Sequence, residues 1–373
     1  MLRQVYVPKN VAEAAEERLR YVFDKFENII VSISGGKDST VLAHLTLEEA
    51  RRRHRRVGLF FLDEEVVYQS TVDQVEYLMN LYPENTIRLW LQFPFRLTNA
   101  TSLSESQLIC WEEGKHQLWM HPKRPYAIQH KPWPDEGQTV RDKNKGFGFY
   151  DVIDNFQRLR RDTAFLVGLR AVESMNRFQA VSKSPGYKNC FWSTKCGGPG
   201  CASFYPLYDW NFHDIWKYIY DHKLRYSRIY DYQFKKGMGI RDIRVSSLIH
   251  EKSFRALVEL PEFEPRTYDR LVQRIQGIQV GHLYGKDARM LRVRKLPKNF
   301  KSWIAYRDFL LETYPDAEKK PIFERRFARQ LQNSYVARQQ CRQLILNDYE
   351  NNLPVDNAED PRELAIEKWK RLL

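Results

Sequence analysis

The N-terminal part of the chain alternates between apolar runs that fit strands and apolar spacings that fit helices. Behind Asn10, a residue that can cap a helix, apolar residues recur at helical spacing as far as Phe26. The β-branched run at 29–33 is typical of a strand buried on both faces. This alternation predicts an α/β fold with a doubly wound, mostly parallel sheet, that is, a Rossmann-like α/β/α sandwich. The next predicted elements are a helix, a strand, a helix and a strand at 39–53, 57–62, 70–79 and 87–91.

Beyond the third predicted strand the pattern changes. The stretch 94–150 contains five prolines and three tryptophans among polar residues, which favours a long insertion that carries loops over the strand ends. A strand at 164–169 and a helix capped by Asn211 follow. The rest of the chain is mostly helical in pattern and basic. We therefore expect an N-terminal α/β domain at 1–230 and a basic, mainly helical C-terminal region at 231–373.

A short polar segment joins the first predicted strand to the next helix, with the sequence Ser34-Gly35-Gly36-Lys37-Asp38-Ser39. In this position its backbone N–H groups lie at the positive end of a helix dipole. Paired glycines let the backbone approach phosphate oxygens, and Lys37 adds positive charge. The glycine spacing differs from that of a Walker A loop. Because open α/β sheets bind ligands at the carboxyl ends of their strands, the segment predicts a phosphate-binding loop rather than a turn alone.

This loop resembles the PP-motif of the ATP-pyrophosphatase superfamily, whose members split ATP between the α and β phosphates and often adenylate a substrate. Over about residues 25–230 the chain is similar to the phosphoadenosine phosphosulfate (PAPS) reductase-like family of that superfamily. The later motifs of this resemblance occur in order at Leu59–Asp63, Gly168–Ser174, Tyr205–Trp210 and Asp214–Ile219. The resemblance implies a divergent member of the family with a basic C-terminal extension of uncharacterised function.

The resemblance also implies roles for individual residues. Asp63 would lie beside the adenosine, while Arg170 and Glu173 would close the site from the later loop, although these two could instead form a surface ion pair. A guanidinium such as that of Arg170 suits a bidentate phosphate contact, and Asp38 could assist Mg²⁺ through water. The expected nucleotide-binding residues are Ser34, Gly35, Gly36, Lys37, Asp38, Ser39, Asp63, Gly168, Arg170 and Glu173, and the expected catalytic residues are Lys37, Asp38 and Arg170.

Three cysteines fall close together at Cys190, Cys196 and Cys201, within a Gly-rich loop at 190–201. Thiolates at such spacing suit Zn²⁺ or, less well, an iron–sulfur cluster. A structural zinc site needs a fourth ligand, for which Cys110 in the insertion is the first candidate. The alternative is a loop without metal whose thiols are reduced and partly buried. The expected cofactors are therefore ATP with Mg²⁺ and a structural Zn²⁺ held by these four cysteines.

The formal net charge of +13 favours polyanionic partners, so DNA or RNA is a candidate partner beside the adenine nucleotide. The basic run Arg51–Arg56 ends a predicted helix, where cations meet the helix dipole favourably, and we interpret it as a solvated helix end. A second basic run lies at 289–298. Some relatives of this type are encoded beside ParB/sulfiredoxin-like proteins, which suggests a protein partner at the level of the family.

One motif of the sulfonucleotide reductases is missing from the sequence. Those enzymes need a nucleophilic cysteine in a Glu-Cys-Gly-Leu-His element, whereas Cys341 lies in a segment with a helical pattern and is expected to be a buried thiol. The long apolar run of a membrane-spanning helix and an apolar leader are also missing, so we expect a cytoplasmic protein that does not contact membrane.

Three functions follow in order of preference. The first is an ATP-binding enzyme that acts at the α-phosphate, as a nucleotidyltransferase or hydrolase that releases pyrophosphate and activates an unknown acceptor. The second is a nucleotide-gated nucleic-acid-binding or regulatory protein with little turnover. The third, sulfonucleotide reduction, is disfavoured because the catalytic cysteine motif is absent.

Overall fold

The computed structural model describes residues 8–101, 105, 107–141, 146–182, 186–240, 243–250, 253–278, 296–349, 351, 355–360 and 369. The chain folds into two compact units. The first unit comprises Met1–Arg96 and Ile109–Val245, and the second comprises Leu97–Leu108 and Ser246–Leu373.

The first unit follows the alternating order that the sequence predicts. Its helices are α1 (Val11–Lys25), α2 (Lys37–Arg52), α3 (Gln69–Asn80), α4 (Phe149–Arg158), α5 (Met175–Ser182), α6 (Phe212–Asp221) and α7 (Ile229–Lys235). Its main strands are β1 (Asn28–Ser32), β2 (Val57–Leu62), β3 (Thr86–Leu91), β6 (Thr163–Val167), β7 (Ser193–Lys195) and β8 (Ala202–Phe204). Two further strands, β4 (Phe95–Thr98) and β5 (Gln107–Cys110), pair with each other in a separate sheet.

The main sheet has six strands in the order β3-β2-β1-β6-β8-β7. All neighbouring pairs are parallel except β7 and β8, which form an antiparallel hairpin. The chain leaves β1 toward β2 and β3, and later returns to the other side of β1 as β6. The carboxyl ends of β1 and β6 therefore flank the point where the strand order reverses, which is where sheets of this kind bind ligands.

Local sequence explains why these elements form where they do. The side chain of Asn10 accepts hydrogen bonds from the first turn of α1, and Glu13 bonds back to the Asn10 backbone, which completes a capping box. Asn211 and Asp214 form the same arrangement at the start of α6. All six residues of β2 are buried. This burial is expected, because β2 lies between two other strands and is covered on both faces.

The predicted fold class is confirmed, with differences at the edges of elements. The helix after the phosphate loop begins at Lys37, two residues earlier than its apolar spacing indicates, because polar residues form its first turn. The insertion at 94–150 is not made of loops alone, since it contains β4, β5 and the start of α4. The β7–β8 hairpin was not predicted, because its strands are only three residues long.

The second unit is mainly helical in its described part. Its helices are α8 (Phe254–Phe263), α9 (Pro265–Arg274), α10 (Trp303–Glu312), α11 (Lys320–Phe327) and α12 (Ser334–Ile345). A small core forms around Phe323, Phe327, Leu344 and Tyr349. The Arg307 side chain is buried on α10 and donates hydrogen bonds to the side-chain oxygens of Gln332 and Gln340.

The first unit reaches Val245, whereas the sequence pattern places the end of the first domain at residue 230. The extension is held by apolar packing, because Tyr230, Met238 and Ile243 form a buried cluster against Trp216 of α6. None of the helices in the described part of the chain is long and apolar enough to cross a membrane.

The tryptophan of the Tyr205–Trp210 motif has a structural role that can be measured. Trp210 is 1% exposed and its Nε1 donates to the carbonyl oxygen of Val11 at 3.0 Å. We expect Trp210→Ala to lower the free energy of unfolding by about 3–5 kcal/mol, because it leaves a cavity and an unpaired buried carbonyl. Urea denaturation followed by circular dichroism measures the loss. Tyr220→Ala, at an 82% exposed position of α6, is the control and should change stability by less than about 0.5 kcal/mol.

Candidate nucleotide-binding site

The loop after β1 has a backbone conformation that only glycine adopts readily. Gly35 has φ of +69°, in the left-handed region, and a Cβ atom there would lie 2.8 Å from Thr71 Cγ2 and 2.9 Å from the Thr71 carbonyl oxygen. The glycine therefore meets two requirements, a positive φ and close contact with α3. The conformation of the loop is therefore fixed by the main chain. It places the N-terminus of α2 at the carboxyl edge of the sheet.

Two serines brace the loop from inside. The Ser39 hydroxyl donates to the carbonyl oxygen of Gly36 at 3.0 Å and accepts from the backbone N–H of Ser34 at 3.1 Å. The two serine hydroxyls lie 3.2 Å apart. Of the two residues, Ser34 is exposed and Ser39 is buried.

Asp38 connects the loop after β1 to the loop after β6. Its Oδ2 accepts from the Lys37 ammonium at 3.0 Å, and its Oδ1 accepts a short hydrogen bond from Arg170 Nε. Arg170 Nη2 in turn donates to Glu173 Oε1 at 2.9 Å. Glu173 therefore orients Arg170, and Arg170 is buried rather than part of a surface ion pair.

Gly168 lets these two loops come close. A Cβ atom at residue 168 would lie 3.1 Å from the carbonyl carbon of Asp38 and 3.2 Å from the backbone nitrogen of Ser39. Contacts of this length require displacement of backbone atoms, so a side chain here would separate the β6 loop from α2. Gly168 thus acts through packing, by bringing Arg170 within reach of Asp38.

Lys37 is buried among aromatic rings. Its side chain is 5% exposed, and its ammonium lies 5.4 Å from the ring centre of Tyr230 and 5.8 Å from that of Phe212. Burial lowers the pKa of Lys37, and the neighbouring Asp38 carboxylate opposes part of that shift.

Two further cations belong to the site and were missed from the sequence. Arg177 on α5 forms an ion pair with Glu173 and interacts electrostatically with Asp38, Arg170 and Arg244. Arg177 lies four residues after Glu173, but Glu173 ends a 3₁₀ turn and Ser174 is extended, so the two do not share a helix and the spacing alone did not indicate the pair. Arg244 lies far along the chain from every recognised motif, so the sequence contained no signal for it.

Asp63 is placed differently from the expectation that it lines the adenosine pocket. Its carboxylate is fully buried and accepts hydrogen bonds from Trp90 Nε1 at 2.7 Å, Gln92 Nε2 at 2.9 Å and the backbone N–H of Glu65 at 3.0 Å. His121 Nε2 lies 3.4 Å away. These donors occupy the carboxylate, so in this structure Asp63 organises the loop after β2.

The four cysteines expected to hold zinc are not brought together. Cys196 and Cys201 meet across the β7–β8 hairpin, where burial raises the pKa of Cys196 to about 12. Cys190 lies beyond the other end of β7, because the extended strand separates it from Cys196. The Cys110 thiol donates to the carbonyl oxygen of Glu64, which follows β2, whereas Cys201 precedes β8, three strands away in the sheet. Across the described ranges, no three His, Cys, Asp or Glu side chains are arranged to hold a metal.

The basic run at the end of α2 is largely neutralised by its surroundings. Arg51 pairs with Glu48, and Arg53 pairs with both Asp24 and Glu49. Arg55 donates to backbone carbonyls at the end of α1 and beyond. These arginines stabilise the helix end, in agreement with its interpretation as a helix terminus. In the second basic run, residues 289–295 lie outside the described residues.

The fold defines an α/β protein with a doubly wound, mostly parallel sheet, whose glycine-containing loop follows β1 at the carboxyl edge. The chain belongs to the family of the phosphoadenosine phosphosulfate reductase domain, which matches residues 28–239. Residues 237–359 match a domain of unknown function, DUF3440. The second match covers most of the mainly helical C-terminal region.

Individual relatives are distant. An uncharacterised protein of Escherichia coli K12, YbdN, is 27% identical over 324 residues, which cover 84% of this chain and 77% of that protein. The adenosine 5'-phosphosulfate reductase of Staphylococcus saprophyticus is 23% identical over 60% of this chain and 74% of its own length. Among solved structures, the PAPS reductase of Candida auris in a phosphate complex aligns with a TM-score of 0.35 and 16% identity, over 61% of this chain and 94% of that chain.

A pair of glycine substitutions separates the two requirements at Gly35. Gly137 also has a positive φ, of +75°, but a Cβ atom there would meet nothing within 4 Å. We expect Gly137→Ala to cost about 1–2 kcal/mol for the left-handed conformation alone. Gly35→Ala should cost about 1–3 kcal/mol more because of the contact with Thr71. Thermal unfolding of both variants measures the difference, and equal losses would contradict the close packing of the loop against α3.

Proposed function

We propose that this protein binds ATP at the loop 34–39 and acts at the α-phosphate, with release of pyrophosphate and activation of an acceptor. The observation that carries the proposal is the cluster of charges at the N-terminus of α2, where Lys37 and Arg170 donate to Asp38 while Arg170 and Arg177 pair with Glu173. Three cations against two carboxylates leave an excess of positive charge beside a row of backbone N–H groups. A polyphosphate has the charge and the acceptor oxygens that this arrangement lacks.

The reaction would depend on positioning and electrostatics. The first-turn amides of α2, which lie at the positive end of the helix dipole, and the Lys37 ammonium would hold the β and γ phosphates. Arg170, fixed by Asp38 and Glu173, would face the α-phosphate, where charge develops as pyrophosphate leaves. Membership of a family that includes reductases of adenylated sulfate fits an adenine nucleotide as the ligand.

Mg²⁺ would not find a carboxylate cage here. Both Asp38 oxygens accept from cations, so this side chain does not offer a free oxygen for direct coordination. A magnesium ion that arrives with ATP would have to be held by phosphate and water oxygens. We therefore assign no step to protein-bound Mg²⁺. Zinc is not part of the proposal, because the cysteines do not form a common site.

Sulfonucleotide reduction is not proposed. The cysteine farthest along the chain, Cys341, is buried on α12, and burial raises its pKa to about 12. A thiol in that environment is a poor nucleophile because the thiolate is scarce at neutral pH. The Glu-Cys-Gly-Leu-His element of the reductases does not occur in the sequence.

Replacement of Lys37 tests the proposal. We expect Lys37→Met to reduce pyrophosphate release from ATP by about 10²-fold or more, because it removes a preorganised charge from the phosphates. A coupled pyrophosphate assay on the full chain measures the rate. Lys217→Met is the control, since that lysine is exposed on α6 and pairs with Asp221 away from the loop. Unchanged release in the Lys37 variant would count decisively against this site.

A second candidate function is nucleic-acid binding gated by the nucleotide. It is favoured by the net charge of +13 together with exposed cations in the second unit, namely Lys298, Lys301, Arg325, Arg329 and Arg342. A ParB/sulfiredoxin-like protein partner stays a prediction of the resemblance alone.

Salt dependence tests the second candidate. We expect the affinity for single-stranded RNA to fall linearly on a logarithmic plot against salt, because bound cations release counterions. Replacement of both Arg329 and Arg342 by Gln should reduce the slope by about 2. Fluorescence anisotropy with labelled poly-U RNA, and with duplex DNA in parallel, gives the slopes. An affinity that does not change with salt concentration, or no binding to either probe, would rule out the nucleic-acid-binding function.

A further inference from the structure

One backbone amide of the phosphate loop is already engaged by a side chain. The first N–H groups of a helix have no partner within the helix, and phosphate loops use them to hold oxygens. Here the Lys37 N–H donates to the hydroxyl oxygen of Tyr230 at 3.0 Å. The Tyr230 oxygen thus accepts from a first-turn amide of α2, in the way that an anion oxygen does.

Tyr230 is held firmly in this position. It is 4% exposed on α7, and its ring packs edge-on against Trp216 at 5.4 Å between centres. The same ring forms one wall around the Lys37 ammonium. A polar group this well buried forms a hydrogen bond or costs stability, so the bond to Lys37 is a defined part of the packing and not a chance contact.

The backbone near Tyr230 closes over the glycines. Val245 Cγ2 lies 3.2 Å from the point where a Cβ atom of Gly36 would stand, and Tyr230 Oη lies 3.4 Å from it. Gln233, buried on α7, ties this region together, because its side chain accepts from the Arg244 N–H at 2.8 Å and donates to the Arg244 carbonyl at 3.0 Å. Little space is left for a phosphate group above Gly36 in this arrangement.

We propose that Tyr230 is a gating residue of the phosphate loop, whose hydroxyl competes with a phosphate oxygen of the nucleotide for the Lys37 amide. This inference rests on the proposed function, because it takes the loop to be the phosphate site. Binding of the triphosphate requires the hydroxyl to leave and α7 to shift away from Gly36. The Lys37 amide then becomes available to the phosphate.

If Tyr230 is a gate, removal of its hydroxyl oxygen should increase the affinity of the protein for ATP. In Tyr230→Phe the ring still packs against Trp216, but the bond to the Lys37 amide is lost. Because a buried hydrogen bond contributes about 0.5–1.5 kcal/mol, we expect ATP to bind about two- to tenfold more tightly. The association rate should rise as well, since opening is easier. A merely structural role for Tyr230 would not raise affinity.

The matched control is Tyr226→Phe. Tyr226 packs against the same Trp216, at 5.0 Å between ring centres, but its hydroxyl donates to Asp231 and not to the loop. Its removal should leave the ATP affinity unchanged. The measurements are calorimetric titration with the non-hydrolysable analogue α,β-methylene ATP and stopped-flow association, both on the full chain, with the melting temperature of each variant recorded.

The outcomes separate the two proposals. Tighter and faster binding in Tyr230→Phe alone supports the gate. Equal or weaker binding in Tyr230→Phe, when the wild-type protein binds and Lys37→Met does not, overturns the gate but leaves the proposed function intact. Absence of binding in wild type and all variants overturns the proposed function itself.

Discussion

The bond from Arg170 to Asp38 is the interaction on which the site depends. It joins two segments that follow the neighbouring parallel strands β1 and β6. The charged side chains of both segments are therefore held together where the strand order reverses. Without it, the cations after β6 would have no fixed position relative to the amides of α2. Gly168 makes the bond possible by allowing the two backbones to meet. The ion pair, the close approach of the two backbones and the strand order therefore all contribute to the same site.

Much of the fold could be predicted because its signals are local. Capping residues such as Asn10 and Asn211, and buried β-branched runs, act within a few positions of the chain. The phosphate loop could be predicted for the same reason, since its glycines, its lysine and the following helix are contiguous. The partnership of Arg170 with Glu173 was also visible, because the two are three residues apart.

The features that could not be predicted from the sequence depend on contacts between segments that are far apart along the chain. The donors that occupy Asp63 come from β3, and the hydroxyl that meets Lys37 comes from α7, so no spacing rule indicates either. The cysteines illustrate the opposite error, in which nearness along the chain suggested nearness in space. The β7 strand extends the chain between Cys190 and Cys196 and keeps these thiols apart, although the glycine-rich turn does unite Cys196 with Cys201.

The two outer strands of the main sheet have a consequence for the behaviour of the protein at high concentration. An unpaired strand edge can template pairing with another molecule, and cations or brevity on that edge oppose it. The outer strand β7 has three residues and ends in Lys195, while β3 carries Arg88 and its outer edge is covered at Leu91 by a bridge to Ile128. Both margins of the sheet are thus poor templates for intermolecular pairing, which favours colloidal stability of the folded chain.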